Sequence, residues 1–596
     1  MEINRLLLLS LSLFVAGCSE ANQNVAPYEP VEPPSTSEPE EVNEEIIDPE
    51  QIDGISTIDS IQDMNVLHAW NWRINDVRSR LSYIKNAGYG AIQLSPLQPK
   101  LDKIDHSTQS TSSQWWKLYQ PLAFKVSEES ENFLGTKSEL TALCAEAKEH
   151  GLKIVMDIVC NHLAGNGSGY NSQVYSEARY PLHNWGSHAD DNNGESVVKG
   201  HIDLPDLDTS NSQVQQDVLK MLKAYVDCGV SGFRFDAAKH IETPDDGSYA
   251  SNFWPVVLDG TTQYAESKGL DKPYYYGEIL NTCGAGRSFS SYTKMMSICD
   301  NKQGTSIVQA VNNNNFSGLK STYDTGENPD HLMLWAESHD TYANNSGYDL
   351  TRSFSRDVIN KAYMIQASRK DAATLYFARP SNMGVTICSI DGETGWRDRC
   401  TQAINAFHRV FLDKAESINN NNNCFVNVRG SDDYVGAAIV NISASSSQNV
   451  NVPGMKDGTY VDILSNKEYT VSSEIVNVSF VNGACLLVTK DIAKGLSLDD
   501  ASSAYSSSIV IKGANPNKSY LLWNWVGTSQ GSWKDFSVDK DAIGVTIDSN
   551  SNYIIVEFPS GTTAANANWD KRERQTFDLT YSGSQIIYEY SSIVWK

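Results

Sequence analysis

At 596 residues the chain is too long for one ordinary core, and about two to four domains are expected. With 40% hydrophobic residues it can bury those cores. Its formal net charge of −26 argues against a nucleic-acid partner, whose phosphates call for Lys and Arg, and suits a soluble protein handling a neutral substrate.

In chain order, Arg5 precedes the apolar run 6–14, which is too short to span a membrane as a mature helix and is patterned as the core of an export signal. The run closes on Val15-Ala16-Gly17-Cys18, which resembles a bacterial lipobox. That resemblance implies cleavage before Cys18 and a lipid on its sulfur. Ser19 is then compatible with export to the outer membrane or cell surface; a plain secretory signal is the alternative. Residues 19–55 are Pro, Glu, Asn and Ser with almost nothing to bury, and read as a disordered acidic tether. An exported chain meets an oxidising compartment, so the nine cysteines besides Cys18 are disulfide candidates. Cys283 with Cys299, Cys388 with Cys400 and Cys424 with Cys485 are plausible pairs. Cys144, Cys160 and Cys228 remain, at least one of them free.

Residues 56–415 are expected to form the main domain. There short apolar runs alternate with helical patterns, as in βα units around a parallel sheet. Strands are expected at 66–70, 91–94, 153–159, 232–235, 274–277, 333–336 and 374–377, with an eighth hidden in the poorly patterned stretch 292–311. A helix over 137–150 should stop at Gly151. Polar residues gather at strand ends: Asp157 with Asn161 and His162 close behind, then Asp236, Glu278, and Glu337-Ser338-His339-Asp340. In a (β/α)8 TIM barrel the C-terminal rim carries the active site, so these acids should converge. Arg234 lies two residues before Asp236 on the same strand face, and a guanidinium there suits a carboxylate that must act ionised, as a nucleophile. The long Gly-, Asn-, Ser- and Asp-rich stretch 163–204 reads as an inserted domain over the rim.

From about residue 416 to 490 short alternating strands indicate an antiparallel β domain. After a linker, 491–506, an all-β module follows over 507–596. It holds Trp523, Trp525, Trp533, Trp569 and Trp595, five of the chain's 13 tryptophans. Exposed rings stack on sugar faces, and the same rings serve equally as a small core.

The motifs together resemble family 13 of the glycoside hydrolases, the α-amylases, and most the Bacillus subtilis type. Asp157-Ile158-Val159-Cys160-Asn161-His162, Gly232 to His240, Gly277-Glu278-Ile279-Leu280 and Glu337-Ser338-His339-Asp340 match its four signatures in order, and Leu204-Pro205-Asp206-Leu207-Asp208 a fifth. Leu67-His68-Ala69-Trp70-Asn71-Trp72 and Leu118-Tyr119-Gln120-Pro121 support the match. The resemblance implies Asp236 as nucleophile, Glu278 as general acid and then base, and Asp340 as the carboxylate that binds and distorts the sugar. It implies that His162 and His339 hydrogen-bond sugar hydroxyls, that Tyr119 stacks on the same sugar beside Gln120, and that Lys239 reaches the leaving-group side. Trp115 and Trp116 stand where an aromatic platform is expected, with core packing the rival reading. Asn161, Asp206 and the His240 carbonyl match ligands of a structural Ca2+, oxygen donors that suit a hard cation.

The implied activity is retaining endo-hydrolysis of internal α-1,4-glucosidic bonds in starch or glycogen, by a monomer anchored through its lipid. A maltooligosaccharide-forming exo-amylase or 4-α-glucanotransferase would share the three acids. A surface starch-binding lipoprotein without turnover would not need them.

Overall fold

The computed structural model describes residues 58–100, 115–128, 131–164, 180–183, 186–280, 286–315, 319–344, 351–380, 394–420, 423–443, 445–496, 507–539, 542–548, 551–581, 586–590 and 593–595. The signal run, the tether, Cys18, Cys283 and Cys388 lie outside the described residues. The chain forms two compact units, Met1–Leu498 and Asp499–Lys596.

The first unit is built on a closed barrel of eight parallel strands paired in sequence order. They are β1 (Asn65–Ala69), β2 (Ala91–Leu94), β3 (Lys153–Val159), β4 (Gly232–Asp236), β5 (Tyr274–Gly277), β6 (Ser297–Cys299), β7 (Leu332–Trp335) and β8 (Ala373–Phe377), with β1 pairing β8 to close the ring. Their residues are almost all buried, as expected where helices cover the outside and side chains fill the inside. Alternation along β4 sends Phe233 and Phe235 into the outer apolar layer and turns Arg234 and Asp236 inward.

The helix Lys137–Glu149 shows how local chemistry fixes an element. Thr136 caps it by accepting from the Glu139 N–H, while Glu139 Oε2 accepts from the Thr136 N–H at 2.8 Å. Leu140, Leu143, Cys144 and Ala147 form the buried stripe, and Gly151 ends it at φ 65°.

Beyond the barrel, six strands form one sheet. They are β9 (Glu416–Ile418), β10 (Cys424–Ser431), β11 (Tyr434–Asn441), β13 (Gly458–Asp462), β14 (Lys467–Val471) and β16 (Ala484–Thr489), in the order β14-β13-β16-β11-β10-β9. β12 (Ser447–Asn451) pairs with β15 (Ile475–Ser479). Two expectations change here. Part of the expected linker is a helix, Lys490–Gly495, capped by the Thr489 hydroxyl. Cys424 and Cys485 are free thiols, both buried, as are Cys299 and Cys400. Cys424 is opposite Asn441 and Cys485 opposite Ile439, so β11 lies between them. Two strand spacings of about 4.8 Å exceed the roughly 7 Å that a disulfide tolerates between Cα atoms.

The second unit holds two sheets. β17 (Ile509–Lys512), β20 (Ser537–Asp539), β21 (Ala542–Val545) and β25 (Ile586–Glu589) form one, in the order β20-β21-β17-β25. β18 (Lys518–Trp525), β19 (Ser532–Asp535), β22 (Ser551–Pro559), β23 (Arg574–Gln575) and β24 (Leu579–Tyr581) form the other. Trp595 packs on the core of the unit with Tyr590 and Arg574. Trp523, Trp533 and Trp569 instead form a half-buried triad, with ring centroids 4.6 to 5.5 Å apart. Gly531 is required beside it, because a Cβ there would stand 2.3 Å from the Trp523 indole nitrogen.

Among the described residues no helix is long and apolar enough to cross a membrane.

Candidate active site

Parallel register sets Asp157 of β3 beside Arg234 of β4, and Arg234 beside Tyr276 of β5. Asp236 at the end of β4, Glu278 after β5 and Asp340 after β7 therefore open onto one end of the barrel. Arg234 is the hub. Its Nη1 donates to both Asp157 oxygens, at 2.8 and 3.0 Å, and to Asp236 Oδ1 at 2.7 Å; its Nη2 lies 3.0 Å from Glu278 Oε2. One fixed fork thus orients three carboxylates, a task for which Arg geometry is suited and Lys geometry is not.

The turn after β4 adds a backbone donor. Ala237 takes a left-handed conformation, φ 49° and ψ 30°, uncommon for a residue with a Cβ, and its N–H donates to Glu278 Oε2 at 2.9 Å. Asp340 is presented by a short helix, His339–Ala343, whose N-cap is Ser338; the Ser338 hydroxyl accepts from the Thr341 N–H. Just before it, Glu337 forms a buried two-point pair with Arg379, at 2.7 and 2.8 Å, tying the loops after β7 and β8 together.

Two of the acids at this rim, Asp340 and Asp157, are held towards their protonated forms. Burial, and then the charge of Glu278, holds Asp340 well above the ordinary carboxylate range. Burial also pushes Asp157 up to about 7, against the lowering effect of Arg234. His339 is neutral, lowered to about 3 by burial and then by Arg234. His162 is lowered as well, mainly by burial.

The residues expected to contact sugar converge in part. Tyr119 stacks on His339 with centroids 4.9 Å apart and 9° between planes, and its hydroxyl donates to Asp157 Oδ2 at 3.1 Å. Trp115 joins them edge-on, whereas Trp116 meets the Lys117 ammonium, 5.9 Å from its ring centre. His162 Nε2 lies 2.9 Å from the Tyr119 carbonyl, which can only accept, so Nε2 carries the proton and Nδ1 keeps a lone pair. That Nδ1 and Gln120 Oε1 are buried with no hydrogen-bond partner among the described residues. Both are acceptors open to a hydroxyl-rich ligand. Lys239 Nζ donates to Asp191 Oδ1 at 3.1 Å, so its cation is held by the excursion after β3.

Sequence reasoning missed several members. His68 and Trp70, at the end of β1, pack on His339, and His68 Nε2 and Trp70 Nε1 are buried without partners among the described residues. Their inward position at a strand end was the available signal. Asp157 as the second anchor of Arg234 was also missed.

The expected metal ligands form a neighbouring group. Asn161 Nδ2 donates to Asp206 Oδ1 at 3.2 Å, while Asn161 Oδ1 is buried with no partner among the described residues. A buried amide oxygen without a donor, beside a carboxylate, fits a hard cation. His240 spends its imidazole on the Val197 carbonyl, at 2.7 Å, which leaves its own carbonyl for the role named. His183 was not anticipated: it bridges Asp206 at 2.8 Å and Glu242 at 2.8 Å. Against the cost of its own burial, those two acids raise its pKa to about 9.

Residues 72–269 match the family model described as alpha amylase, catalytic domain. Over those residues the chain is similar to an alpha-amylase catalytic domain. It is a glycoside hydrolase by that match and by the acids just described. A curated alpha-amylase of Clostridium acetobutylicum is 29% identical over 90% of this chain and 70% of the relative. Another, of Butyrivibrio fibrisolvens, is 27% identical over 74% of this chain and 48% of the relative. Among solved structures, a variant of alpha-amylase I from Eisenia fetida in complex with maltohexaose superposes with a TM-score of 0.57 at 18% identity, covering 73% of this chain and 99% of that one. An alpha-amylase of Geobacillus thermoleovorans with acarbose gives 0.53 at 15%, covering 72% and 99%. The structural likenesses cover more of the chain than residues 72–269 and, at such identities, speak for fold alone.

Proposed function

We propose that this alpha-amylase domain hydrolyses internal α-1,4-glucosidic bonds of starch-like glucans with retention at the anomeric carbon. The observation that carries the reading is the Arg234 fork on Asp236 and Glu278, with the charge of Glu278 acting on the Asp340 carboxyl. Glu278 donates a proton to the glycosidic oxygen as Asp236 attacks the anomeric carbon and the C–O bond breaks. The Glu278 carboxylate then takes a proton from water, whose oxygen attacks the same carbon and frees Asp236. Asp340, His162 and His339 hold the hydroxyls of the ring at the cleaved bond. The unpartnered acceptors at His162 and Gln120 support that role.

Asn161, Asp206 and the His240 carbonyl are the residues that would hold Ca2+. The ion would supply positive charge that ties the excursion after β3 to the barrel. The kinship to the Bacillus subtilis type rests on the order of the signature motifs. Export and a lipid on Cys18 rest on the leader sequence. A glucan-binding role for residues 507–596 rests on the half-buried tryptophan triad.

The deciding experiment compares viscosity loss of soluble amylose with reducing ends released. Fast viscosity loss with mixed short maltooligosaccharides is expected. A single small product released with slow viscosity loss, or lengthened and cyclic glucans, would replace the endo-hydrolase reading with an exo-amylase or a glucanotransferase.

A further inference from the structure

Within the excursion after β3, residues 187–189 run beside residues 200–203. His188 and His201 form a parallel bridge, the Ala189 N–H donates to the His201 carbonyl at 3.1 Å, and the His201 N–H donates to that of Ser187 at 3.2 Å. The segment between them carries the helix Gly194–Lys199, capped by Asn193. The bridge brings the two imidazoles together with centroids 4.3 Å apart, tilted by 54°. Asp203 follows in a left-handed conformation, φ 68°, which an aspartate tolerates, and its Oδ1 lies 3.0 Å from His188 Nε2. One ring nitrogen from each histidine and one Asp203 oxygen all lie within 4.8 Å of one another.

We propose that His188, His201 and Asp203 bind a divalent transition-metal ion of the zinc class, at a site separate from the oxygen donors Asn161 and Asp206. Two imidazoles and one carboxylate are ligands that such ions prefer and that calcium, which takes six to eight oxygens, does not. Bonds of 2.0–2.2 Å to a tetrahedral ion place neighbouring ligand atoms roughly 3.3 Å apart. The His188–Asp203 pair is already near that spacing. His188, with 47% of its side chain exposed, can turn to close the remaining distances, and water can fill the fourth position.

The site has a mechanical consequence. The segment it would clasp supplies Asp191 to Lys239 and the Val197 carbonyl to the His240 imidazole. Lys239 and His240 belong to the turn that follows the nucleophile Asp236. Loading the ion would therefore stiffen the excursion where it borders the catalytic rim.

The test uses the full chain, stripped with a chelator, reloaded with excess Ca2+ and titrated with Co2+. A saturable visible absorption band at one equivalent, displaced by Zn2+, is expected. His188→Ala and His201→Ala should each weaken binding at least tenfold. Zn2+ should raise the melting temperature of the wild type in excess Ca2+, and should not raise that of the double variant H188A/H201A. No saturable band, or a band and melting shift that survive in the double variant, would overturn the proposal.

Discussion

Arg234 Nη1 stands 2.7 Å from Asp236 Oδ1 while the same guanidinium spans Asp157 and Glu278. A lysine can supply the charge at that position but cannot hold three carboxylates with one planar group. Arg234→Lys should therefore lower kcat on soluble amylose by about 10² to 10³, the cost of a misplaced electrostatic partner in a closed site. Circular dichroism should remain that of the wild type. A loss below tenfold would show that the fork does not orient the acids.

Asp157 carries a pH signature in stability. Its pKa is raised in the folded state to about 7, first by burial, so between the unfolded value of about 3.9 and about 7 the native chain holds the extra proton. Stability from this group is then fully present at low pH and falls by about 1.4 kcal/mol per unit until about pH 7, where it levels. Asp157→Asn removes that slope. Urea unfolding of both proteins from pH 4 to 8 measures the difference, and parallel curves would contradict the assignment. Asn also leaves Arg234 short of one anchor, so kcat should fall as well.

Calcium removal should show in melting temperature as well as activity. An ion bound only by the native state adds RT ln(1 + [L]/Kd), about 2.7 kcal/mol when free calcium is one hundred times Kd. For a unit this large that corresponds to several degrees. Chelation should lower the wild-type melting temperature by that amount and leave Asn161→Ala, already without the ion, where it was. An equal shift in both would move the ion elsewhere.

The tryptophan triad predicts adsorption without turnover. Trp523→Ala with Trp569→Ala should weaken retention on granular starch by at least tenfold while hydrolysis of soluble amylose stays within twofold. Aromatic stacking on sugar faces is the physical basis. Unchanged retention would leave the three rings as packing.

Seven of the eight barrel strands were legible as apolar runs, within a residue or so at each end, because strands buried on both faces write continuous hydrophobic stretches. The eighth, Ser297–Cys299, is three residues long, too short to write a period. Asp236 and Glu278 could be placed on one rim because a strand end fixes where a side chain points. His183 and Glu242 could not, since they meet across an irregular excursion with no repeat to read. The Cys424–Cys485 pairing failed for a related reason. Membership of one sheet is visible in sequence, but the strand order that separates the two thiols is not.

In the second unit β17 and β25 lie side by side in parallel, Ile509 opposite Ile586 and Lys512 opposite Glu589. Among the described residues the first strand of that unit is thus hydrogen-bonded to its last. A cut before Ser507 keeps this pair together with Ser507, whose N–H donates to Asp539, and Ser508, whose carbonyl accepts from the Ile586 N–H, so the unit is suited to transplantation. Fused behind an unrelated barrel, it should carry whatever its tryptophan face binds, with no need for the catalytic acids to accompany it.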